Sequence, residues 1–197
     1  MPPSSANDEI KLIARAKCGD LEAFETLYGI YKGPIYRTGL AVTGDHLAAE
    51  EILQETFLRA FKHMQNVREG VSLSPWLQRI AVNLAYDCWA ARRRHWHVDL
   101  DVYIEQLIAP AVASPEQTVE DRELYGLVYE AIDKLGFKQR VALVLFYLHD
   151  FSLAEVAEIM DCPVGTVKSR LHHARENLRR ELLADQRLPQ GLAYEFT

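Results

Sequence analysis

The chain of 197 residues has only three cysteines, Cys18, Cys88 and Cys162, and none belongs to a Cys-x-x-Cys pair. An odd number of widely spaced cysteines excludes a disulfide framework and is typical of a reducing compartment. No run of about 18 apolar residues occurs, so we expect no membrane insertion. Residues 1–8 lack the basic start and apolar run of a signal peptide. We therefore expect a cytoplasmic protein.

Motifs of catalytic and cofactor sites are also missing. The sequence has no G-x-S-x-G, no phosphate-binding G-x-x-x-x-G-K and no G-x-G-x-x-G. His95 and His97 have no cysteine or histidine partners at metal-binding spacing, so we interpret them as surface residues. Glu50 and Glu51 are adjacent on a predicted helix and do not face each other, which makes them a poor catalytic pair. We expect no cofactor, no metal ion and no enzymatic activity.

The net charge of −6 at first argues against a nucleic-acid partner, but the charge is unevenly distributed. Arg59–Arg94 has seven basic and two acidic residues, a net charge of +5. Cys162–Arg180 has five basic residues and one acidic residue, a net charge of +4, which leaves −15 for the remainder. The acidic mean therefore conceals two basic segments whose charge suits a nucleic acid.

Apolar residues recur at helical spacing along most of the chain, and the alternation typical of strands is nearly absent, which predicts an all-α fold. The composition, 49% hydrophobic and 25% charged, is that of a globular protein. In the first half, helices are predicted from Ile10, from Leu21 with an interruption at Gly33-Pro34, from Leu47 to Met64 after an Asp45 cap, and from Pro75 to Arg94.

The predicted helix Leu47–Met64 is amphipathic. Its apolar side, which we expect to be core, consists of Ile52, Leu53, Phe57, Leu58, Phe61 and Met64. Its polar side consists of Glu50, Glu51, Gln54, Glu55, Arg59 and Lys62.

The second half predicts a separate helical domain. Residues 95–113 have weak periodicity and are interpreted as a flexible linker between two small domains, 8–94 and 114–184, with a short tail at 185–197. A capping box at Ser114–Gln117 starts the second domain. Its predicted helices are Val119–Leu135, Lys138–Leu148, Leu153–Met160 and one from Val164 past Arg180.

The last two of these helices have the spacing of a helix-turn-helix motif. Ser152 and Glu155 form a capping box before the first helix, and Asp161 lies at the turn position that adopts positive φ. Buried contacts are expected from Val156, Ile159, Val164, Val167 and Leu171. The polar face of the second helix offers hydroxyls, imidazoles and cations, which suit the major groove of DNA. The alternative is an exposed helix whose basic residues are simply solvated.

The segment Cys162–Leu171, followed by Ala174-Arg175, resembles the promoter-binding helix of bacterial sigma factors. The resemblance is to the extracytoplasmic-function (ECF, group IV) class of the sigma-70 family. Three further segments match this family in its own order. Gly19–Phe24 resembles its opening, Ala49–Ala60 its polymerase-binding helix and Trp76–Asn83 its −10-reading helix.

The resemblance implies a subunit that binds core RNA polymerase, recognises −35 and −10 promoter elements and promotes melting at −10. Such a subunit initiates transcription of a specific set of genes, in response to stress or envelope signals. The domain 8–94 is then similar to sigma-70 region 2, and 114–184 to region 4. The implied partners are the β′ coiled coil and β flap of the polymerase, double- and single-stranded promoter DNA and, as is common in the family, an anti-sigma factor.

Residue roles follow from the same resemblance. Polymerase contacts are implied for Glu50, Glu51, Gln54 and Glu55. Contacts to −10 DNA are implied for Arg68, Arg79, Asn83, Arg92, Arg93 and Arg94. Contacts to −35 DNA are implied for Thr166, Lys168, Ser169, Arg170, His172, His173 and Arg175. The loop Val67–Leu73 is implied to form part of the −10 site, although Val67 and Leu73 stand where aromatic residues are usual.

Two other classes of protein fit less of the sequence. A helix-turn-helix regulator with an N-terminal sensory or dimerisation module would share the C-terminal helix. It has no reason to carry Gln54-Glu55-x-Phe57 and Trp76–Asn83 at this spacing. An enzyme would require a catalytic constellation that the sequence lacks. For Glu50, Glu51, Gln54 and Glu55, plain solvation is the alternative to a polymerase interface.

Overall fold

A computed structural model describes residues 6–68, 70–92, 126–128 and 130–185, with the side chains of residues 6, 7 and 92 left out. The described residues fall into two compact units, each built mainly from one half of the chain. Both are helical, and no strand occurs among the residues described. The predicted all-α fold with two helical units is therefore confirmed.

The N-terminal unit contains four α-helices. They are α1 (Ala6–Lys17), α2 (Leu21–Thr43), α3 (His46–His63) and α4 (Ser74–Arg92), with a 3₁₀ turn at Met64–Asn66 after α3. The predicted helices are present, and Pro75 lies in the first turn of α4 as expected.

Aspartate caps separate the first three helices. Asp20 accepts a hydrogen bond from the Ala23 amide at 3.1 Å and starts α2, after Gly19 has turned the chain at φ +88°. This bond from Ala23, more than any other interaction, holds the pKa of Asp20 below its usual value. Asp45 caps α3 in the same way, and Gly44 ends α2 in the left-handed region. The break between α1 and α2 and the break between α2 and α3 both fall where the sequence predicts a new helix.

Helix α2 runs without a break through Gly33 and Pro34, so the predicted interruption is wrong. A proline in a helix loses one backbone hydrogen bond and clashes with the Cβ of the residue before it. Gly33 has no Cβ, which relieves the clash. Tyr31 and Ile35, on either side of the proline, are buried. The burial of this face outweighs the cost of the proline, because tertiary packing overrides local preference.

The core of the N-terminal unit lies where α2 packs against α3 and α4. Gly39 lets α2 approach α3 closely, since a Cβ added there would lie 3.1 Å from the Cα of Ala49. Between α2 and α4, the buried Thr38 hydroxyl donates to the side-chain carbonyl of Gln78 at 2.7 Å. The packing holds α3 and α4, which carry the residues of interest, on one scaffold.

The described part of the C-terminal unit starts with helical residues at 126–128 and 130–133. It continues with α5 (Phe137–Leu143), which passes into a π-helical turn at Val144–Leu148, then α6 (Leu153–Ile159) and α7 (Val164–Ala184). The predicted helix Lys138–Leu148 is thus present, but its second half is wound as a π turn.

The turn between α6 and α7 has the predicted chemistry. Asp161 has φ +50°, in the left-handed region that aspartate tolerates better than most residues. The Ser152 amide donates to Glu155 at 2.8 Å and the Glu155 amide donates to the Ser152 hydroxyl at 3.3 Å, so the capping box is closed in both directions. The helix-turn-helix prediction is confirmed at both places.

The contacts expected inside this motif are mostly present. Val156, Ile159, Val167 and Leu171 are buried, whereas Val164 is 39% exposed. The prediction for Val164 is wrong because this residue is the first of α7, at an exposed helix end where Pro163 and Gly165 are exposed as well.

Several predicted features lie outside the described residues. They are the linker 95–113, the capping box 114–117, the start of the helix predicted at 119–135, and the tail beyond residue 185. In the described part of the chain, no helix combines the length and apolar character needed to cross a lipid bilayer.

Candidate nucleic-acid interface

Helix α7 presents four polar side chains on one exposed face. Lys168 and His172 are one turn apart, as are Ser169 and His173, and all four are exposed. The opposite face of α7 anchors the helix through buried residues that include Val167 and Leu171. The structure therefore brings four of the seven residues implied to contact −35 DNA onto one exposed face.

The other three −35 candidates flank this face. Thr166 and Arg170 are half-buried, and an Arg170 Nη1–H donates to the sulfur of Cys162 at 3.3 Å. Arg175 is exposed, and its Nη1–H donates to the hydroxyl oxygen of Tyr147 at 3.3 Å. Arg170 and Arg175 therefore border the exposed row of four, and cations in this position suit the phosphates of a duplex.

Tyr147 was not among the residues predicted from the sequence. It lies in the π turn, is 51% exposed and contacts Arg175. π-helical turns inside helices are frequent at functional sites. A signal existed, because Tyr147 lies off the apolar row formed by Val141, Val144 and Leu148.

In the N-terminal unit, Arg79 and Asn83 lie one turn apart on α4, and both are exposed. Arg68 is exposed in the loop before this helix. Arg92 is the last residue of α4, with its side chain outside the description, and Arg93 and Arg94 lie beyond the described residues. The structure thus places Arg79 and Asn83 on a common face and leaves the arginine run 92–94 as a sequence-based expectation.

Helix α3 exposes the predicted acidic face. Glu50, Glu51 and Gln54 are exposed, while Glu55 is half-buried and pairs with Arg59 at 2.7 Å. Burial raises the pKa of the Tyr36 hydroxyl, and the negative charge of Glu50 raises it further. Three of the four candidates therefore point to solvent, and the fourth is neutralised by a neighbour on its own helix.

The prediction that Leu58 and Phe61 belong to the core is wrong, since they are 54% and 53% exposed. The side of α3 that packs inside the unit carries Ala49, Ile52, Thr56, Phe57 and Ala60. Leu58 and Phe61 lie one and two turns beyond Gln54 on a different row of the helix. Glu51, Gln54, Leu58 and Phe61 recur at helical spacing and form an exposed row on α3. This spacing is the signal for the row in the sequence.

An aromatic cluster supports this exposed row. The ring of Phe61 meets that of Phe24 edge-on at 5.2 Å, and Tyr28 meets the buried Phe57 at 4.7 Å. Tyr28 is itself 37% exposed. Apolar area is therefore exposed directly beside the acidic residues of α3.

Both halves of the sequence match families of sigma-factor domains. Residues 27–96 match Sigma-70 region 2, and residues 125–178 match Sigma-70, region 4. The chain is 37% identical over 179 residues to the ECF RNA polymerase sigma factor SigW of Bacillus subtilis (strain 168), covering 87% of this chain and 95% of the relative. The chain belongs to the ECF sigma factor family. It is an RNA polymerase sigma factor and acts in transcription initiation.

Other ECF sigma factors and related proteins are similar over nearly the same length. The RNA polymerase sigma-H factor of Pseudomonas aeruginosa PAO1 is 32% identical over 179 residues, 87% of this chain and 92% of its own. The ECF RNA polymerase sigma-E factor of Escherichia coli K12 is 32% identical over 173 residues, 84% of this chain and 89% of its own.

Two solved structures share the fold of this sigma factor. CnrH, solved in complex with the cytosolic domain of CnrY, has a TM-score of 0.70 at 21% identity, covering 92% of this chain and all of that one. The sigma factor RpoE of Bartonella quintana, solved with the anti-sigma factor NepR, has a TM-score of 0.62 at 23% identity. The match covers 80% of this chain and 95% of that one.

Proposed function

We propose that this ECF sigma factor binds core RNA polymerase and directs it to promoters through a −35 contact by α7 and a −10 contact by α4. The observation that carries the proposal is the exposed row of Lys168, Ser169, His172 and His173 on a helix-turn-helix, in a chain of this family. The domain boundaries 8–94 and 114–184 are part of the proposal, with 95–113 as the connecting linker.

At the −35 element, α7 enters the major groove, whose width of about 12 Å admits one helix. Lys168 donates to guanine O6 or N7, and Ser169 bonds either donors or acceptors. The histidines donate to guanine or accept from the cytosine amino group. Thr166, Arg170 and Arg175 bind phosphates, which sets the register of the helix on the duplex.

At the −10 element, α4 and the loop before it bind the separated strand. Unpairing a base costs a few kcal/mol, which is offset when its edge is hydrogen-bonded in a pocket. Asn83 has both a donor and an acceptor for such an edge. Arg79, Arg68 and the arginine run 92–94 bind phosphates. This binding promotes melting because it favours the open strand over the duplex.

The exposed row of α3 docks on the β′ coiled coil of the polymerase. Glu50, Glu51 and Gln54 offer carboxylate and amide groups to basic residues, and Leu58 and Phe61 add the apolar centre typical of a stable interface. Glu55 contributes to this docking in one of two ways. It keeps its ion pair with Arg59, or it exchanges Arg59 for a basic residue of the polymerase. The C-terminal unit seats on the β flap.

The chain performs no catalysis in this proposal, because the polymerase supplies the chemistry. It acts in the cytoplasm, where polymerase and DNA are found, on genes that respond to stress or envelope signals. An anti-sigma factor that covered the exposed row of α3 would block polymerase binding, and the solved complex of the sigma factor RpoE with the anti-sigma factor NepR supports such a partner.

The −35 assignment is tested by the double variant His172→Ala/His173→Ala assembled with core polymerase. We expect its base preference at −35 to change while its preference at −10 stays that of the wild type. Lys138→Ala, which removes an exposed cation of α5 in the same unit, is the matched control. An unchanged −35 preference in the double variant would remove the histidines from the proposed site.

A further inference from the structure

One oxygen of Glu9 in α1 holds the end of the loop that leads into α4. Glu9 Oε1 accepts hydrogen bonds from the Leu73 backbone amide at 2.8 Å and from the Ser72 hydroxyl at 3.1 Å. The Tyr31 hydroxyl donates to the same oxygen. Glu9 and Leu73 are 64 residues apart in the chain, so the contact joins two distant elements.

The start of the same loop is also tied to α1. Lys17 Nζ donates to the backbone carbonyl of Val67 at 3.1 Å, and the Gln65 side-chain amide donates to the carbonyl of Lys17. Both ends of the loop between Val67 and Leu73 are therefore bound to α1, one at each end of that helix.

The side chains at the two ends of the loop are buried. Val67 is 4% exposed and Leu73 is 1% exposed, so neither is available to stack on a base. Between them the chain turns at Gly70, with φ +75°, and Arg68, Val71 and Ser72 are exposed. The loop is thus held at its two ends, and its exposed described residues lie between them.

The chemistry of Glu9 makes this attachment a firm one. Hydrogen bonds to a carboxylate are shorter and about twice as strong as those between neutral groups. Burial, reinforced by the bond to Glu9, raises the pKa of Tyr31 well above its usual range. The Tyr31 hydroxyl donates to the carboxylate of Glu9, and this bond orients the carboxylate toward the loop.

We propose that Glu9 is a positioning residue for promoter recognition, and that its bonds to Ser72 and Leu73 set the loop conformation that selects the −10 base. A loop held in one conformation discriminates between bases, whereas a relaxed loop adapts to several. The inference rests on the proposed −10 role of this loop. It extends that role to α1, which lies outside the residues 27–96 that match Sigma-70 region 2.

The test compares Glu9→Ala with Asp8→Ala in holoenzyme transcription from a library randomised at both promoter elements. Asp8 and Glu9 are both acidic residues of the first turn of α1, so both changes have the same effect on charge and helix dipole. Asp8 pairs at 3.9 Å with Lys11 of its own helix. We expect Glu9→Ala to reduce −10 discrimination about tenfold, the loss that follows from bonds to a charged group. The −35 preference should not change, and Asp8→Ala should match the wild type.

Further variants separate positioning from simple destabilisation. Glu9→Gln keeps an acceptor oxygen but loses the charge, so its discrimination should lie between that of Glu9→Ala and that of the wild type. In Glu9→Ala/Ser72→Ala, discrimination should be no worse than in Glu9→Ala alone, because both changes break the same contact. If Glu9→Ala fails to fold, Ser72→Ala alone should still reduce −10 discrimination.

Two results would overturn the inference. One is a Glu9→Ala variant that keeps the −10 preference of the wild type, whether it transcribes at the wild-type level or less from all promoters alike. The other is a wild-type holoenzyme with no −10 preference, which would overturn the proposed −10 function as well. Because the wild type is measured first, the two failures are distinguishable.

Discussion

Arg140 is a buried charged side chain in the C-terminal unit. It is 2% exposed and pairs with Asp133 at 2.8 Å. It also donates to the backbone carbonyls of Asp133 and Leu135. These carbonyls lie where the helical segment before α5 ends, and the last carbonyls of a helix lack partners within it. The buried Arg140 guanidinium therefore satisfies carbonyls at the end of this helical segment.

Replacing Arg140 with alanine should lower the free energy of unfolding by about 3–5 kcal/mol, because it leaves Asp133 and the carbonyls without their partner. Lys134→Ala is the control, since the Lys134–Glu181 pair, 3.0 Å long, has a lysine side chain that is 60% exposed. That change should cost less than about 1 kcal/mol. Urea denaturation of the full chain measures both, and equal costs for the two variants would contradict this account.

Helices α3 and α7 each divide their surface between a buried row that builds the unit and an exposed row available to a partner. On α3 the exposed row holds Glu51, Gln54, Leu58 and Phe61. On α7 it holds Lys168, Ser169, His172 and His173. The two rows differ in chemistry, and each suits its proposed partner. The row on α3 offers acidic and apolar groups to a protein, whereas the row on α7 offers hydrogen-bond donors to DNA.

Leu58→Ala should weaken binding to core polymerase about tenfold or more, with little effect on folding, because a side chain already 54% exposed adds little to the core. The matched control is Leu183→Ala near the end of α7, where the leucine is 42% exposed. Titration of labelled chain with core polymerase, together with thermal unfolding, measures the two effects. Wild-type affinity in Leu58→Ala would exclude this part of α3 from the interface.

Elements set by local chemistry could be predicted from the sequence. Asp20, Asp45 and the Ser152–Glu155 box act on amides within three residues, so their roles follow from neighbours in the chain. The positive φ of Asp161 is likewise a property of a short turn. The capping box and this turn make the helix-turn-helix predictable from the sequence. The grouping of the −35 candidates on α7 follows from that motif.

Features that depend on distant partners could not be predicted. The continuity of α2 at Pro34 depends on burial against other helices, and the exposure of Leu58 depends on which row of α3 faces α2 and α4. The bond from Leu73 to Glu9 joins residues that no periodicity connects. A single sequence shows that a helix has an apolar row, but not which of two rows is covered.

At the scale of the molecule, the acidic net charge of −6 coexists with two basic segments assigned to DNA. The segment Arg59–Arg94 belongs to the −10 assignment and Cys162–Arg180 to the −35 assignment. The remaining chain is strongly acidic and repels a polyanion. The charge pattern therefore favours DNA binding only when polymerase supplies additional contacts.

The isolated chain should bind duplex DNA weakly at physiological salt, with a Kd no tighter than about 10⁻⁶ M. In the holoenzyme, Arg79→Ala should lower the slope of log affinity against log salt by about 1 and weaken binding to all promoters alike. Fluorescence anisotropy over a salt series measures both quantities. Tight promoter binding by the chain alone would contradict the proposed dependence on polymerase.

The central claim, promoter selection for core polymerase, is tested most directly by transcription from a promoter library with and without this chain, followed by sequencing of the transcript starts. The account predicts that adding the chain produces starts downstream of one shared pair of −35 and −10 sequences. Starts that are the same with and without the chain, or that share no such pair, would contradict it.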